Sequence, residues 1–380
     1  MIGFTLSEEQ ITLQNKARQF ADEHMRPYAA KIDSLPSPNF DRRVVERFAA
    51  AGLTQLVVPA EYGGLGVGSL TMAIMCEELA AACAGMSTIL AGSMLAINCL
   101  RAGGTPEQKA RYLPLLADKK GRIGALAITE TGAGSDMGAI SLLAKKTKDG
   151  FALSGSKYYI SNAGIADLYI VLATTDPSKK YSGLDLFIVP AGTPGLSPGK
   201  IEDKLGLRAS QTGELIFDNV RVPDSDLVGR PGTGFLATMQ ALDLSRPAAA
   251  VCCIGIARAA YEAALEYTRK RVQFGRPLFS QQAVAFALAD MAVSIDAARL
   301  LTWRACDLID NSGQFTREAS MAKLFASETA ERVTSQAMHL LGAAGYSRDL
   351  PLEKYYRDAK AQTVLEGASE IQRHIIAGEL

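Results

Sequence analysis

The hydrophobic period changes twice along this chain. Residues 1–122 place apolar positions at helical spacing. Ser7 with Gln10 three residues on reads as a capping box, ahead of Ile11, Leu13, Ala17, Phe20 and Ala21. Asp41 can cap a second helix carrying Val44, Val45, Phe48 and Ala49 and stopped at Gly52. Thr105-Pro106-Glu107-Gln108 predicts a third start, with a cap, a proline at the first helical position and a glutamine to close the box. Residues 123–234 switch to short apolar, β-branched or aromatic runs: Ile123 to Ile128, Leu142 to Thr147, Phe151 to Ser156, Leu168 to Thr175, Leu184 to Val189 and Glu214 to Val222. Asp149-Gly150 marks a hairpin between two of them. From 235 to 380 the helical period returns, with Pro247 to Leu265 apolar enough to be buried on most faces, and long amphipathic stretches at Ser280 to Ile309 and Thr316 to Leu341. The expectation is an α+β protein of three domains, 1–122, 123–234 and 235–380: an N-terminal helical domain, an antiparallel β-barrel or sandwich, and a C-terminal four-helix bundle.

Leu79 to Leu100 is free of charge and long enough to span a bilayer. Its Ala, Ser and Asn content, with breaks at Gly85 and Gly92, reads instead as a helix end, a turn and a second buried helix. The N-terminus shows no basic region followed by an apolar core, so no secretory signal is expected. Forty basic and forty acidic residues cancel, which removes any built-in attraction for nucleic acid or an anionic membrane. Six scattered cysteines, with no C-x-x-C pair, read as buried thiols of a reducing, cytoplasmic setting. Three histidines do not suit a histidine-rich metal site, and no metal is expected.

Chemistry enters at Ala127-Ile128-Thr129-Glu130-Thr131-Gly132-Ala133-Gly134-Ser135-Asp136, where a buried strand runs into small and hydroxylated residues. Glycines there permit close backbone approach to a flat or phosphorylated ligand, and hydroxyls and loop amides add donors. With Lys157-Tyr158-Tyr159-Ile160-Ser161-Asn162-Ala163, Arg271-Val272-Gln273-Phe274-Gly275 and Leu365-Glu366-Gly367-Ala368-Ser369-Glu370-Ile371-Gln372-Arg373, in that order, the whole chain resembles the acyl-CoA dehydrogenase family of flavoenzymes. Pro59 to Gly66 also matches the family's Y-G-G-x-G loop.

The resemblance implies FAD-dependent α,β-dehydrogenation of an acyl-CoA thioester to the trans-2,3-enoyl-CoA, with electrons passing to an electron-transferring flavoprotein. Such a reaction needs a base at the α-carbon, a hydride acceptor for the β-carbon and donors at the thioester oxygen. Glu366 matches the family base, and its own amide the thioester donor; by residue chemistry alone it reads equally as an acid near the start of the last helix. Another branch of the family carries its base directly before an arginine, a position that is Ser245 here, so Glu366 is the base that matches. Ser135, Asp243, Arg246, Leu365 and Gly367 match substrate-contacting positions, although Asp243 and Arg246 also read as a helix-start ion pair. Ala127, Ile128, Thr129, Gly134 and Ser135 match one side of the flavin, Tyr159, Ile160 and Ser161 the other. His339, Gly342 and Ser369 match further FAD positions. Arg271, Gln273 and Phe274 match a segment that reaches FAD across a subunit boundary, which implies a homotetramer, although Arg271 beside Arg269 and Lys270 also suits a helix C-terminus.

Two departures stand out. His339 and Ala343 replace a glutamine and a glycine of the family's Q-x-x-G-G motif, and Asn98-Cys99-Leu100 lacks a common proline, which would reshape the acyl pocket. Alternatives on the same scaffold are an oxidase using O2 and a dehydrogenase of acyl-carrier-protein thioesters. A nucleic-acid-binding flavoprotein would need a strongly basic C-terminal region, whereas this chain is neutral overall.

Overall fold

A computed structural model describes residues 5–37 and 40–380. The first helical layer comprises α1 (Glu8–His24), α2 (Arg26–Ser34), α3 (Arg42–Ala50), α4 (Ser69–Gly103) and α5 (Pro106–Leu116). Its starts follow from the sequence chemistry: Ser7 and Thr105 both form complete capping boxes, Asp41 caps α3, and Gly52 turns left-handed at φ 75° after it. The break expected at Gly85 and Gly92 falls elsewhere. α4 runs through both glycines and kinks only at Cys83. These positions are glycine because the neighbours leave no room for a side chain: a Cβ would meet Ala209 N at 3.1 Å from Gly85, and Asn162 Nδ2 at 2.9 Å from Gly92. They are seats for the β-domain, not turns.

Strands β1 (Gly124–Ala127), β2 (Leu143–Thr147), β3 (Gly150–Ser161), β4 (Leu168–Thr174), β5 (Leu184–Pro190), β6 (Leu196–Ile201) and β7 (Thr212–Pro223) form one sheet in the order β1-β4-β2-β3-β7-β6, with β5 also on β4. The hairpin at Asp149-Gly150 forms as expected. The sheet is mostly antiparallel, but β4 runs parallel to β1 and, at one register point, to β2. A continuous apolar run marks a strand buried on both faces, and β4 shows why: Leu168, Ile170 and Leu172 pack towards α4 and α5, while Tyr169, Val171 and Ala173 fill the sheet's other core. β6 escapes sequence reading because Pro198 and Gly199 look like a turn; it lies at the sheet edge, where a missing N–H is tolerated.

The C-terminal layer is α6 (Gly234–Lys270), a short hairpin β8 (Val272–Gln273) with β9 (Arg276–Pro277), then α7 (Gln282–Asn311), α8 (Thr316–Leu341), α9 (Ala343–Tyr346), α10 (Leu352–Gln362) and α11 (Ser369–Gly378). α6 lies so close to α4 that a Cβ on Gly255 would sit 2.7 Å from the Ala80 Cβ. Four helices are tied there by charge: Glu78 accepts from Arg18 and Arg258, and Glu77 pairs with Arg258 and Arg299. α4 and α6 are each long and apolar enough to cross a membrane, and most of each is buried within the fold.

Candidate active site

Glu366 sits in the turn between α10 and α11, ahead of the last helix and not on it. Its backbone is left-handed at φ 53°, followed by Gly367 at φ 93°. Positive φ on a glutamate is a strained conformation that persists only where the surroundings enforce it. Here Gln372 Nε2 donates to the carbonyls of Glu366 (3.3 Å) and Gly367 (3.1 Å), and Lys323 Nζ donates to Gly367 O at 2.7 Å. The N–H of Glu366 meets no acceptor among the described residues, which leaves a backbone donor beside the carboxylate.

The carboxylate lies against α6. Ser245 Oγ stands 3.2 Å from Glu366 Oε2 and shares its proton with Leu242 O at 2.9 Å. The two positions that could hold a base in the resemblance are thus hydrogen-bonded neighbours, although 121 residues separate them in sequence. Burial pushes the Glu366 carboxyl up to about 7, opposed by the charge of Lys323, the Ser245 hydrogen bond and Arg246. Arg246 is itself buried and pairs with Asp243, whose other oxygen accepts from Thr316 Oγ1 at 2.7 Å. This pair lies inside α6, so the helix-start reading is corrected: its setting is an internal i,i+3 pair whose Arg246 Nε has no partner among the described residues. Leu365 packs on the main helical core, and the Ser369 hydroxyl is buried without a partner among the described residues.

The loop after β1 is built on a buried ion pair that sequence reading missed. Lys157 of β3, fully buried, donates to Glu130 Oε1 (2.8 Å) and to Ile128 O (2.7 Å). Glu130 also accepts from Ser141 N, Ser141 Oγ and Leu142 N. Those extra donors separate the partners. Burial disfavours both charges, yet Glu130 ends below the usual carboxylate range, whereas Lys157 is pushed down to about 8. Alternation along β3 should have announced an inward lysine, but bulges between Leu153 and Gly155 and between Lys157 and Ile160 scramble its parity.

On this foundation Ala127 is buried, Ile128 and Thr129 are half-buried, and Gly134 and Ser135 are exposed. A Cβ on Gly132 or Gly134 would meet nothing within 4 Å, so the fold itself does not require these glycines; they face open space. Tyr158 N donates to Thr129 O (2.8 Å), which sets Tyr159, left-handed at φ 57° and 63% exposed, beside the loop, with Ile160 buried and Ser161 half-buried below it. An exposed aromatic next to bare glycines fits a flat ring system.

The other flavin candidates stand apart on the surface. Arg271 does end α6, and Phe274 (φ 53°) and Gly275 (φ 76°) form the two-residue turn of the β8–β9 hairpin, with Phe274 94% exposed. Gln273 is exposed with it, and the Phe-Gly pair between two short extended residues was the available signal for this hairpin. His339 is exposed in the last turn of α8, and Gly342 closes that helix at φ 58°. α4 continues through Asn98-Cys99-Leu100, the stretch without the proline, to Gly103, and Asn98 lines a cavity of about 210 Å³ with Met94, Arg101, Leu244 and Ala248.

Three comparisons bear on this arrangement. Descriptions of the acyl-CoA dehydrogenase N-terminal, middle and C-terminal domains match residues 7–120, 125–220 and 232–380. The chain is 43% identical to the mitochondrial short-chain specific acyl-CoA dehydrogenase of Bos taurus over 99% of its own length and 90% of that protein. It superposes on butyryl-CoA dehydrogenase from Megasphaera elsdenii with a TM-score of 0.96 and 37% identity, covering 100% of this chain and 99% of that one. A chain solved in work on the electron transferring flavoprotein of Acidaminococcus fermentans gives a TM-score of 0.95 at 36% identity, with 100% and 99% covered.

Proposed function

We propose, for a chain that belongs to the acyl-CoA dehydrogenase family, that it dehydrogenates short-chain acyl-CoA thioesters with Glu366 as the base. It is an FAD-dependent oxidoreductase acting on acyl-CoA. The observation that carries the finer reading is the strained Glu366–Gly367 turn, with a raised carboxyl, an adjacent cation and a free backbone N–H.

Glu366 takes the α-proton of the thioester in its ionised form. Its carboxyl is the stronger base for being held near neutrality, since catalytic pKa values work best close to the operating pH. The Glu366 N–H, free of any acceptor among the described residues, donates to the thioester oxygen as enolate charge grows there. Arg246 and Lys323 add positive charge, and Ser245 orients the carboxylate. FAD, when bound, supplies the acceptor for the hydride leaving the β-carbon, so the product is the trans-2,3-enoyl-CoA. Ala127, Ile128, Thr129, Gly134 and Ser135 would hold one side of it, Tyr159, Ile160 and Ser161 the other, with Ser369 offering a buried hydroxyl.

The short-chain preference rests on the relatives named above. It is tested by reduction of dichlorophenolindophenol across acyl-CoAs of increasing length, where a maximum beyond eight carbons would overturn it. The acceptor is an electron-transferring flavoprotein in this reading, supported by the likeness to the Acidaminococcus chain. Substrate-reduced enzyme should reoxidise slowly in air and quickly with that flavoprotein; rapid, stoichiometric peroxide would assign an oxidase instead.

We place the enzyme in the cytoplasm as a homotetramer. Six free, buried cysteines support the first. For the second, Phe286, Val293 and Leu300 repeat every seven residues on α7 at 59%, 70% and 42% exposure, an apolar stripe alongside the exposed β8–β9 hairpin. Arg271→Glu should therefore weaken FAD retention and subunit assembly together, measured by gel filtration with flavin absorbance. FAD affinity equal to wild type would remove Arg271 from the site.

A further inference from the structure

We propose that Lys323 is the positioning residue of this site: a buried ammonium on α8 that holds the Glu366–Gly367 turn from behind and stabilises the charged carboxylate at its tip. This rests on the reading of Glu366 as the base.

Lys323 is fully buried on α8, as are Ala319, Ala322 and Ala326 along the same helix. Lysine is almost never so deep without a partner. Yet its one protein acceptor is Gly367 O, 2.7 Å away, and it belongs to no ion pair among the described residues. Three N–H bonds and one acceptor leave an ammonium whose remaining field falls on the neighbouring turn. Charges and titratable groups face it from each side. Arg246 and Cys253 lie on α6, Glu366 in the turn it holds and Glu370 on α11. Arg246 already has Asp243 for a partner. The Lys323 charge therefore opposes the burial of Glu366 most strongly, ahead of Ser245 and Arg246. Its own ionisation is depressed by burial first and by Arg246, and favoured by Cys253, Glu366 and Glu370.

Two roles are bound together in one side chain, and they separate in the pH profile. Lys323→Gln keeps a donor for the Gly367 carbonyl but removes the charge; Lys323→Met removes both. Anaerobic stopped-flow reduction of the FAD-loaded holoenzyme by acyl-CoA, followed from pH 5.5 to 10, should show the rising limb of Lys323→Gln displaced upward by about one unit or more, with at least about tenfold slower reduction at pH 7 that recovers in alkali. Lys323→Arg should retain the wild-type limb. A limb unchanged in Lys323→Gln, or a uniform loss at every pH, overturns the electrostatic role. Should neither neutral variant retain FAD, Lys323→Arg decides: restored FAD binding with the wild-type limb supports the inference, and a displaced limb overturns it. If Glu366→Gln itself remained active, the base assignment would fail; an inactive Glu366→Gln with an unshifted Lys323→Gln profile discards only the role of Lys323.

Discussion

Glu366→Gln is expected to stay yellow and to bind enoyl-CoA, while reduction of its flavin by acyl-CoA falls by about 10²–10⁴-fold or more. Glutamine preserves the shape of the side chain, the free backbone N–H and the Gly367 turn, and removes only the group that accepts the proton. Anaerobic stopped-flow absorbance decides the matter, and a rate within threefold of wild type would remove Glu366 from the chemistry. Wild type should also speed up as pH rises through about 7, where the carboxyl ionises. Stability runs the other way. A carboxyl whose folded-state value is raised contributes stability that is fully present below the ordinary carboxylate range and is lost as pH rises through about 7. Glu366→Gln does not ionise, so its melting temperature should exceed that of wild type at pH 8, with the gap closing near pH 4. An equal gap at both values would mean that burial does not raise this carboxyl.

Lys157→Met is expected to cost about 3 kcal/mol of stability, because it leaves Glu130 charged and buried. The loss reads as a lower midpoint in urea denaturation, together with release of FAD on gel filtration, since the pair holds Ile128 and Thr129 in place through Ile128 O and the Glu130 network. Adding Glu130→Gln should recover a large share, as removing both charges of a buried pair is far milder than removing one. If the double variant were as unstable as the sum of the singles, the two residues would not act as a pair.

Glu366 was legible as the candidate base through its motif and through the serine at the alternative position. Its strain was not, because positive φ on a glutamate leaves no trace in residue type. Gly132 and Gly134 were legible as a ligand loop, and the empty space at both gives that reading its physical content. Gly85 and Gly92 were misread as breaks, since a glycine that seats a neighbouring domain looks the same in sequence as one that turns the chain.

What the amino-acid sequence determined by itself is local: the helix starts at Ser7, Asp41 and Thr105, the change of period at the β-domain and the hairpin at Asp149-Gly150. Each follows from hydrogen bonds within a few residues or from alternation along one strand. Only the tertiary structure decided that Ser245 touches Glu366, that Lys157 holds Glu130 and that Lys323 lies behind Gly367. Periodicity reports which face of an element is buried, but not which other face it meets. A bulge or an edge strand hides even the first, and the groups that shape this site are brought together from α6, α8 and β3 by packing alone.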